Sequence, residues 1–354
     1  MAPSTYTSIT LAKRPKGPIV PGETFSTSSS NTTPTSSDLK DDQILFKTLY
    51  LSLDPAMRGW LNDVRSYIKP VQIGETMRGS SVGVIVASKS SKWKTGDLGV
   101  SNTGGWAEYA VLKEGDVDKV VDTGEGQRRS AIDALSVTGM TGLTAYFGIL
   151  RVGEVKKGDF VVVSGAAGAT GSVVGQIAKI KGATVLGIAG SEEKCKWLTD
   201  TLGFDKALNY KDKDFGKKFR EATKPKLIDV FFDNVGGETL DLALSRAAPH
   251  ARFVMCGGIS QYNETVQKGP KNYLMIVSMR IRMEGYIVFD YAQEYDVAKK
   301  ELAQWVKEGK LKRAETIVPG GLKEAEKSLL GLYQGINTGK LLIEVAKLEE
   351  KAKL

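Results

Sequence analysis

The sequence predicts an α/β protein built on a doubly wound parallel sheet, with a smaller, mostly β domain formed ahead of it. Three observations carry that expectation. Residues 159–194 run strand, glycine turn, helix and strand in about thirty residues, the length of one right-handed parallel crossover. Beyond them, apolar strand-like runs keep alternating with helix-compatible stretches, the pattern of a parallel sheet covered on both faces. Ahead of them, short strand-like runs are punctuated by turn signals, without a long helical pattern between them.

Taken in order, residues 1 to 40 read as a strand or two and then a loop. Phe25 gives way to S-T-S-S-S-N-T-T-P-T-S-S, a polar run with too little apolar content to pack. Residues 43–53 turn strand-like and end in L-S-L-D-P-A-M-R-G. Further strands are expected at 81–87 and 106–112, set apart by Thr95-Gly96-Asp97 and Thr103-Gly104-Gly105. Such spacing describes a strongly bent all-β domain. Residues 136–150 switch to helical spacing and bridge to the second domain. Parallel strands follow at 160–164, 184–189, 207–210, 228–233, 252–256 and 283–289, a six-stranded doubly wound sheet. An amphipathic helix is expected at 297–307, a strand returning to the first domain at 341–345, and a solvated end in E-E-K-A-K-L. The expected division is 1–134, 135–300 and 301–354, the last part rejoining the first.

The chemistry sits at the glycine turn, where Gly165, Gly168 and Gly171 separate the strand at 160 from an apolar-faced helix. A dinucleotide pyrophosphate can approach backbone N–H groups at such a helix N-terminus; the competing reading is a plain crossover turn. Aligned on Gly168 and Gly171, the motif G-x-G-x-x-G has Ala166 at its first position. An NAD site carries Asp or Glu at the end of the second strand to bind the ribose 2′-OH. This chain has Gly190 and Ser191 there, followed by Lys194. A carboxylate would repel a 2′-phosphate, whereas a small residue followed by a cation accommodates one, so NADPH is favoured over NADH. The intervening Glu192 and Glu193 complement the helix dipole as first-turn residues. Ligands in such sheets gather beyond the C-terminal strand ends, which nominates D-N-V-G-G at 233–237, C-G-G-I-S-Q-Y at 256–262, residues 287–289 and N-Y-K at 209–211. Each of these, taken singly, is equally readable as turn chemistry.

Composition narrows the class. The chain has 354 residues, long enough for two domains with substantial cores, at 41% hydrophobic and 25% charged. It holds no apolar run of membrane-span length and no signal-type apolar core, so a cytoplasmic protein without a membrane partner is expected. The net charge of +8 is spread as mixed Lys/Glu faces, which reads as solvated surface rather than a nucleic-acid stripe. Two cysteines, Cys195 and Cys256, and the single His250 cannot supply a four-ligand Cys/His zinc site or a disulfide framework. Cys195 reads as exposed at a helix start, Cys256 as buried at a strand end, and His250 as a surface loop residue. Asn31-Thr32-Thr33 matches a glycosylation acceptor, accidental in the absence of a secretion signal.

The sequence resembles the zinc-free medium-chain reductases of the leukotriene B4 12-hydroxydehydrogenase and prostaglandin reductase type, together with plant alkenal double-bond reductases and bacterial curcumin reductase. The resemblance rests on L-S-L-D-P-A-M-R at 51–58, T-G-L-T-A-Y-F-G at 141–148 and A-A-G-A-T-G-S-V-V-G-Q-I-A-K at 166–179. It continues through G-S-E-E-K at 190–194, N-Y-K at 209–211, D-N-V-G-G at 233–237, G-G-I-S-Q-Y-N at 257–263 and N-T-G-K at 337–340, so it spans nearly the whole chain. It implies a GroES-like catalytic domain from both chain ends around a central Rossmann domain, as a homodimer. It further implies that Ala167, Gly168, Ala169, Thr170 and Gly171 hold the NADPH pyrophosphate, and Lys194 and Tyr210 the 2′-phosphate. Asn234, Cys256, Gly257, Gly258, Ile259, Ser260, Tyr262, Ile287, Val288, Phe289 and Asn337 would contact the rest of the cofactor. Ala56, Arg58 and Met140 are expected around the substrate. Relatives usually carry D-P-Y-M-R where this chain has Asp54-Pro55-Ala56-Met57-Arg58, which implies a wider or differently filled pocket. Thr141 stands where many relatives have Pro, a minor change.

The implied reaction reduces a C=C bond conjugated to a carbonyl: hydride reaches the β-carbon and negative charge develops on the carbonyl oxygen. Tyr262, helped by the cofactor ribose hydroxyl, is the candidate donor to that oxygen; its competing reading is a loop aromatic that packs on the cofactor. A quinone reductase, a carbonyl-reducing or alcohol-oxidising enzyme and a noncatalytic NADPH-binding regulatory protein remain as alternative functions.

Overall fold

The computed structural model describes residues 3–348, so the E-E-K-A-K-L tail lies outside the described residues. The chain divides into two compact units. One comprises the described residues up to Leu135, Thr316–Ile336 and those from Leu341 onward; the other comprises Ser136–Glu315 and Asn337–Lys340. The second division falls after Glu315 rather than after residue 300. The helix Tyr295–Lys307 explains this, because its buried Ala298, Leu302, Trp305 and Val306 share one core with Val161 and Val174.

The second unit is organised by a six-stranded parallel sheet with spatial order Lys206–Asn209, Thr184–Ala189, Phe160–Val163, Ile228–Asp233, Ala247–Met255 and Arg282–Gly285. Numbered along the chain, that order is 3-2-1-4-5-6, the doubly wound Rossmann arrangement. All residues of Phe160–Val163 are buried, and the alternation of a strand divides them between two cores. Val161 and Val163 pack with helices Met140–Phe147, Ala169–Ile180 and Tyr295–Lys307, while Phe160 and Val162 pack with Phe219, Leu240 and Leu244 from the opposite face. Helices therefore cover both faces, which accounts for near-continuous apolar strands. The sheet reverses winding between Phe160–Val163 and Ile228–Asp233, and ligand crevices form at such a switch point.

Three expectations in this unit shift. The strand expected at 252–256 starts earlier, at Ala247, and His250 lies within it; His250 is exposed, with φ of 62°, and its N–H donates to Met279 O at 2.7 Å. The strand expected to reach 289 stops at Gly285, because Tyr286 turns inward to donate to Thr144 O at 2.7 Å and Val288–Glu294 forms a 3-10 turn. Cys195, expected to be exposed, is 7% exposed and belongs to the sheet core beside Leu198.

The first unit carries a seven-stranded sheet ordered Glu315–Val318, Lys340–Glu344, Gln43–Leu53, Ser81–Ser88, Leu98–Ser101 and Val117–Lys119, with Tyr109–Lys113 also paired to Gln43–Leu53. Gln43–Leu53 is buried along most of its length and serves as the common partner. The polar run after Phe25 is not a loop. Phe25–Thr32 forms a strand antiparallel to Thr5–Leu11, although Phe25 is its only buried residue. Backbone pairing holds it, and Asn31 clasps the register shift between Tyr6 and Ser8 by donating to Tyr6 O, Ser8 Oγ and Ser28 O. Composition alone misreads such a strand, since its partner rather than its side chains stabilises it.

The packing of the helix Ala169–Ile180 against the loop that precedes Lys206–Asn209 depends on Gly175. A Cβ there would stand 1.9 Å from the Phe204 ring. Gly175→Ala is expected to destabilise the protein by about 1–3 kcal/mol through overpacking. Thermal unfolding of Gly175→Ala, alone and combined with Phe204→Leu, checks this: the second change should recover part of the loss.

Candidate active site

The loop after Phe160–Val163 is shaped by its small residues. Gly165 adopts φ of 57°, and the chain turns so that Gly168 N donates to Gly165 O at 3.0 Å. Gly168 opens the helix Ala169–Ile180 in extended conformation and supplies no capping side chain. The first-turn N–H groups of Ala169, Thr170 and Gly171 are the ones a helix cannot bond itself, and they favour an anion. A Cβ at Gly171 would meet Gly165 O at 2.5 Å and Ala166 Cα at 2.8 Å, so bare backbone is what lets the helix seat beneath the loop. Ala166 stands at the motif's first position, packed near Gly187 on the adjacent strand, where a Cβ would lie 2.8 Å from Leu198, 3.0 Å from Phe204 and 3.1 Å from the Ala166 methyl. The strand end 337–340 closes the loop from another side: Gly339 N donates to Ala167 O at 2.8 Å, and Asn337 Nδ2 to Gly339 O at 2.6 Å.

At the end of Thr184–Ala189, Ser191 caps the helix Glu192–Lys196, its hydroxyl accepting from Lys194 N at 3.2 Å. Glu192 and Glu193 point to solvent, while the Lys194 side chain is half-buried. Burial first, then the nearby Lys211, pushes the Lys194 ammonium below the ordinary lysine value, and Glu193 opposes them. Tyr210, 51% exposed, leans across Gly190, where a Cβ would lie 3.1 Å from its ring. This corner holds two cations, an aromatic ring and no carboxylate at the strand end. It fits a ribose carrying a 2′-phosphate better than one with a free 2′-OH.

Across the switch point, Asp233 organises the remaining strand ends. Its carboxylate is fully buried and accepts from Ser164 Oγ at 2.7 Å, Val235 N at 2.9 Å and Gly236 N at 3.0 Å. Burial raises its pKa, against the lowering effect of those bonds from Gly236, Ser164 and Val235. Asn234 is fixed in turn by donating Nδ2 to Ser164 O at 2.7 Å. The loop 256–262 hangs from the same segment: Cys256 N and Gly257 N donate to Asp233 O, Ile259 N to Asn234 O, and Ser260 Oγ to Val235 O. Tyr262 folds back over this loop, its hydroxyl accepting from Gly258 N at 3.1 Å, and a Cβ at Gly257 would lie 2.9 Å from that oxygen. Ser164 was absent from the residues expected at the site, and Asp233 was named only as the first residue of the strand-end stretch 233–237; a polar residue closing a largely apolar strand is the signal that marks each.

The other expected positions are distributed as follows. Cys256 shares a hydrogen bond with Tyr286, and burial pushes its thiol up to about 12; the Cys195 thiol is pushed up to about 11. Ile287, Val288 and Phe289 follow Tyr286 into the 3-10 turn, with Phe289 44% exposed. Met140 opens the helix Met140–Phe147, half-buried. In the first unit Ala56 precedes the short helix Met57–Trp60 and is half-buried. Arg58 takes a framework position: it is 3% exposed, and its guanidinium donates to Gly17 O, Pro15 O and Asn62 Oδ1. Among the described residues no group of three or more His, Cys, Asp and Glu side chains is gathered as a metal site.

Known proteins match this arrangement along its length. Residues 7–120 match the family model described as the N-terminal domain of oxidoreductase, and residues 169–306 match the one described as zinc-binding dehydrogenase. NADPH-dependent curcumin reductase of Escherichia coli is 39% identical over 344 residues, 95% of this chain and 96% of that protein. Prostaglandin reductase 1 of Bos taurus is 38% identical over 310 residues, 86% of this chain and 90% of that protein. The crystal structure of CurA in complex with NADPH from Vibrio vulnificus superimposes with a TM-score of 0.88 at 37% identity, covering 97% of this chain and 100% of that one.

The phosphate corner yields a direct test. Lys194→Gln should raise KM for NADPH by about 10- to 100-fold, the worth of one charge-assisted contact, and leave KM for NADH unchanged. Because its pKa lies below the ordinary lysine value, Lys194 loses its charge sooner as pH rises. NADPH affinity should therefore decline on the alkaline side, and Lys194→Arg should flatten the decline. Steady-state kinetics with both cofactors across pH measures both effects.

Proposed function

We propose that this chain, which belongs to the zinc-free medium-chain dehydrogenase/reductase family of NADPH-dependent oxidoreductases, reduces the C=C bond of α,β-unsaturated aldehydes and ketones. The observation that carries the reading is the Tyr262 hydroxyl, held by Gly258 N–H at the rim of the strand-end loops. Bound NADPH supplies a hydride to the β-carbon of the substrate. The chain's own task is to meet the charge that then develops on the carbonyl oxygen. Tyr262 donates a hydrogen bond to that oxygen, and acceptance of the Gly258 N–H polarises its hydroxyl toward donation. The same hydroxyl relays a proton. Ala167, Gly168, Ala169, Thr170 and Gly171 hold the pyrophosphate, and Lys194 and Tyr210 the 2′-phosphate. Asn234, the loop 256–262, Ile287, Val288, Phe289 and Asn337 bear on the remainder. Met140 borders the substrate. The free thiols of Cys195 and Cys256 fit a reducing, cytoplasmic setting.

A homodimer belongs to the same proposal. Among the described residues no strand lies beyond Arg282–Gly285 in the parallel sheet, and beside that edge Tyr273, Leu274 and Val277 are 59%, 62% and 73% exposed. Antiparallel pairing of two copies about Met283 would set Arg282 of each against Glu284 of the other, a self-complementary charge pattern. Glu284→Arg should convert a two-chain particle to single chains in sedimentation, and Arg282→Glu with Glu284→Arg should restore it. A wild-type chain that sediments alone would end this part of the reading.

For the chemistry, Tyr262→Phe is expected to lower kcat about 100-fold with enone substrates and leave KM for NADPH unchanged. NADPH oxidation with alkenals, aryl enones and quinones, with products identified, decides the class. Saturated carbonyl products support it, allylic alcohols refute it, and turnover of quinones alone turns the reading to a quinone reductase. Unaltered turnover in Tyr262→Phe removes the tyrosine from the mechanism.

A further inference from the structure

The phosphate corner contains a cation that the reading above does not use. Lys211 ends the segment that begins with Asn209 and Tyr210, and that segment is tied down. Asn209 pairs with Ala189, Tyr210 N donates to Ala189 O at 3.0 Å, and Lys211 N donates to Asn209 Oδ1 at 3.1 Å. The Lys211 ammonium stands over the Tyr210 ring, 5.8 Å from its centroid, and the ring itself lies across Gly190. Lys194 approaches the same corner from the helix Glu192–Lys196. Two adjacent strand ends thus bring two lysines into one corner beside the Tyr210 ring, and Asp212, the carboxylate next to Lys211 in sequence, is engaged by Lys218. Their mutual repulsion is felt at Lys194. Like charges held together in this way are relieved by an anion between them.

We propose that Lys211 is the capture residue of the 2′-phosphate site: exposed at the Tyr210 ring, it steers the phosphomonoester of NADPH toward the half-buried Lys194. The proposal rests on the NADPH reading. The two lysines differ in setting and therefore in role. A half-buried cation is weakly screened and governs how long the phosphate stays. An exposed cation acts across solvent, is screened at salt above about 0.1 M, and governs how fast the phosphate arrives.

Stopped-flow binding of NADPH and NADH to the full chain, at low and at physiological ionic strength, separates these roles. Lys211→Gln should lower the NADPH association rate about two- to fivefold at low salt and flatten its salt dependence. It should leave the NADPH dissociation rate and both NADH rates unchanged. Lys194→Gln should act mainly on NADPH dissociation. An NADPH association rate unaltered by Lys211→Gln, in a protein that still prefers NADPH over NADH, overturns the capture role alone. Equal slowing of NADH overturns it too, since the effect would then owe nothing to the 2′-phosphate. A wild-type chain that binds both cofactors alike overturns this proposal together with the NADPH reading on which it stands.

Discussion

The buried carboxylate of Asp233 is the constraint on which the crevice depends. It joins the ends of two neighbouring strands through the Ser164 hydroxyl, fixes the turn that carries Asn234 through two backbone N–H groups, and its backbone carbonyl receives the first two amides of the loop that ends in Tyr262. A carboxylate removed from water is costly unless its lone pairs are occupied, and here the occupants are the backbone groups that must be positioned. One desolvated side chain thereby sets three loops at once. The rigidity that holds the Tyr262 hydroxyl against the Gly258 N–H begins beneath the loops, in the sheet.

Around that anchor, shape is set largely by what is missing. Gly171 lets a helix close on its loop, Gly257 leaves space for the Tyr262 oxygen, and Gly190 leaves space for the Tyr210 ring. Gly187 leaves space shared by Leu198, Phe204 and the Ala166 methyl. Electrostatics follows a similar economy: the end of Thr184–Ala189 carries no carboxylate at Gly190 and Ser191, and Lys194 and Lys211 stand near each other beside it.

Much of this was legible before any coordinates. The strands at 184–189 and 228–233 were readable because burial on both faces leaves them mostly apolar and β-branched or aromatic. The cofactor was readable because charge and size at one strand end have few alternative explanations, and NADPH is the cofactor named for the relatives. What escaped depends on partners distant in sequence. Phe25–Thr32 is a strand by virtue of Thr5–Leu11, and no side-chain pattern in the run announces it. Arg58, expected beside the substrate, has its guanidinium taken up by the carbonyls of Pro15 and Gly17, some forty residues earlier in the chain. Cys195 is carried inward by a helix whose neighbours at 192 and 193 are charged. In each case tertiary contact overrides local composition.

The way the chain returns at 337–340 has a consequence for dissecting the molecule. These four residues are counted with the parallel-sheet unit although the sequence on either side of them belongs to the other, and Gly339 clasps Ala167 while Lys340 N donates to Ala314 O. The parallel-sheet unit is therefore not a continuous stretch of polypeptide. A fragment cut at Ser136 and Glu315 would lack the piece that latches its own phosphate loop. Synthesis from the N-terminus delivers that latch about 170 residues after the loop itself, so the loop reaches its finished form only once residues 337–340 have emerged.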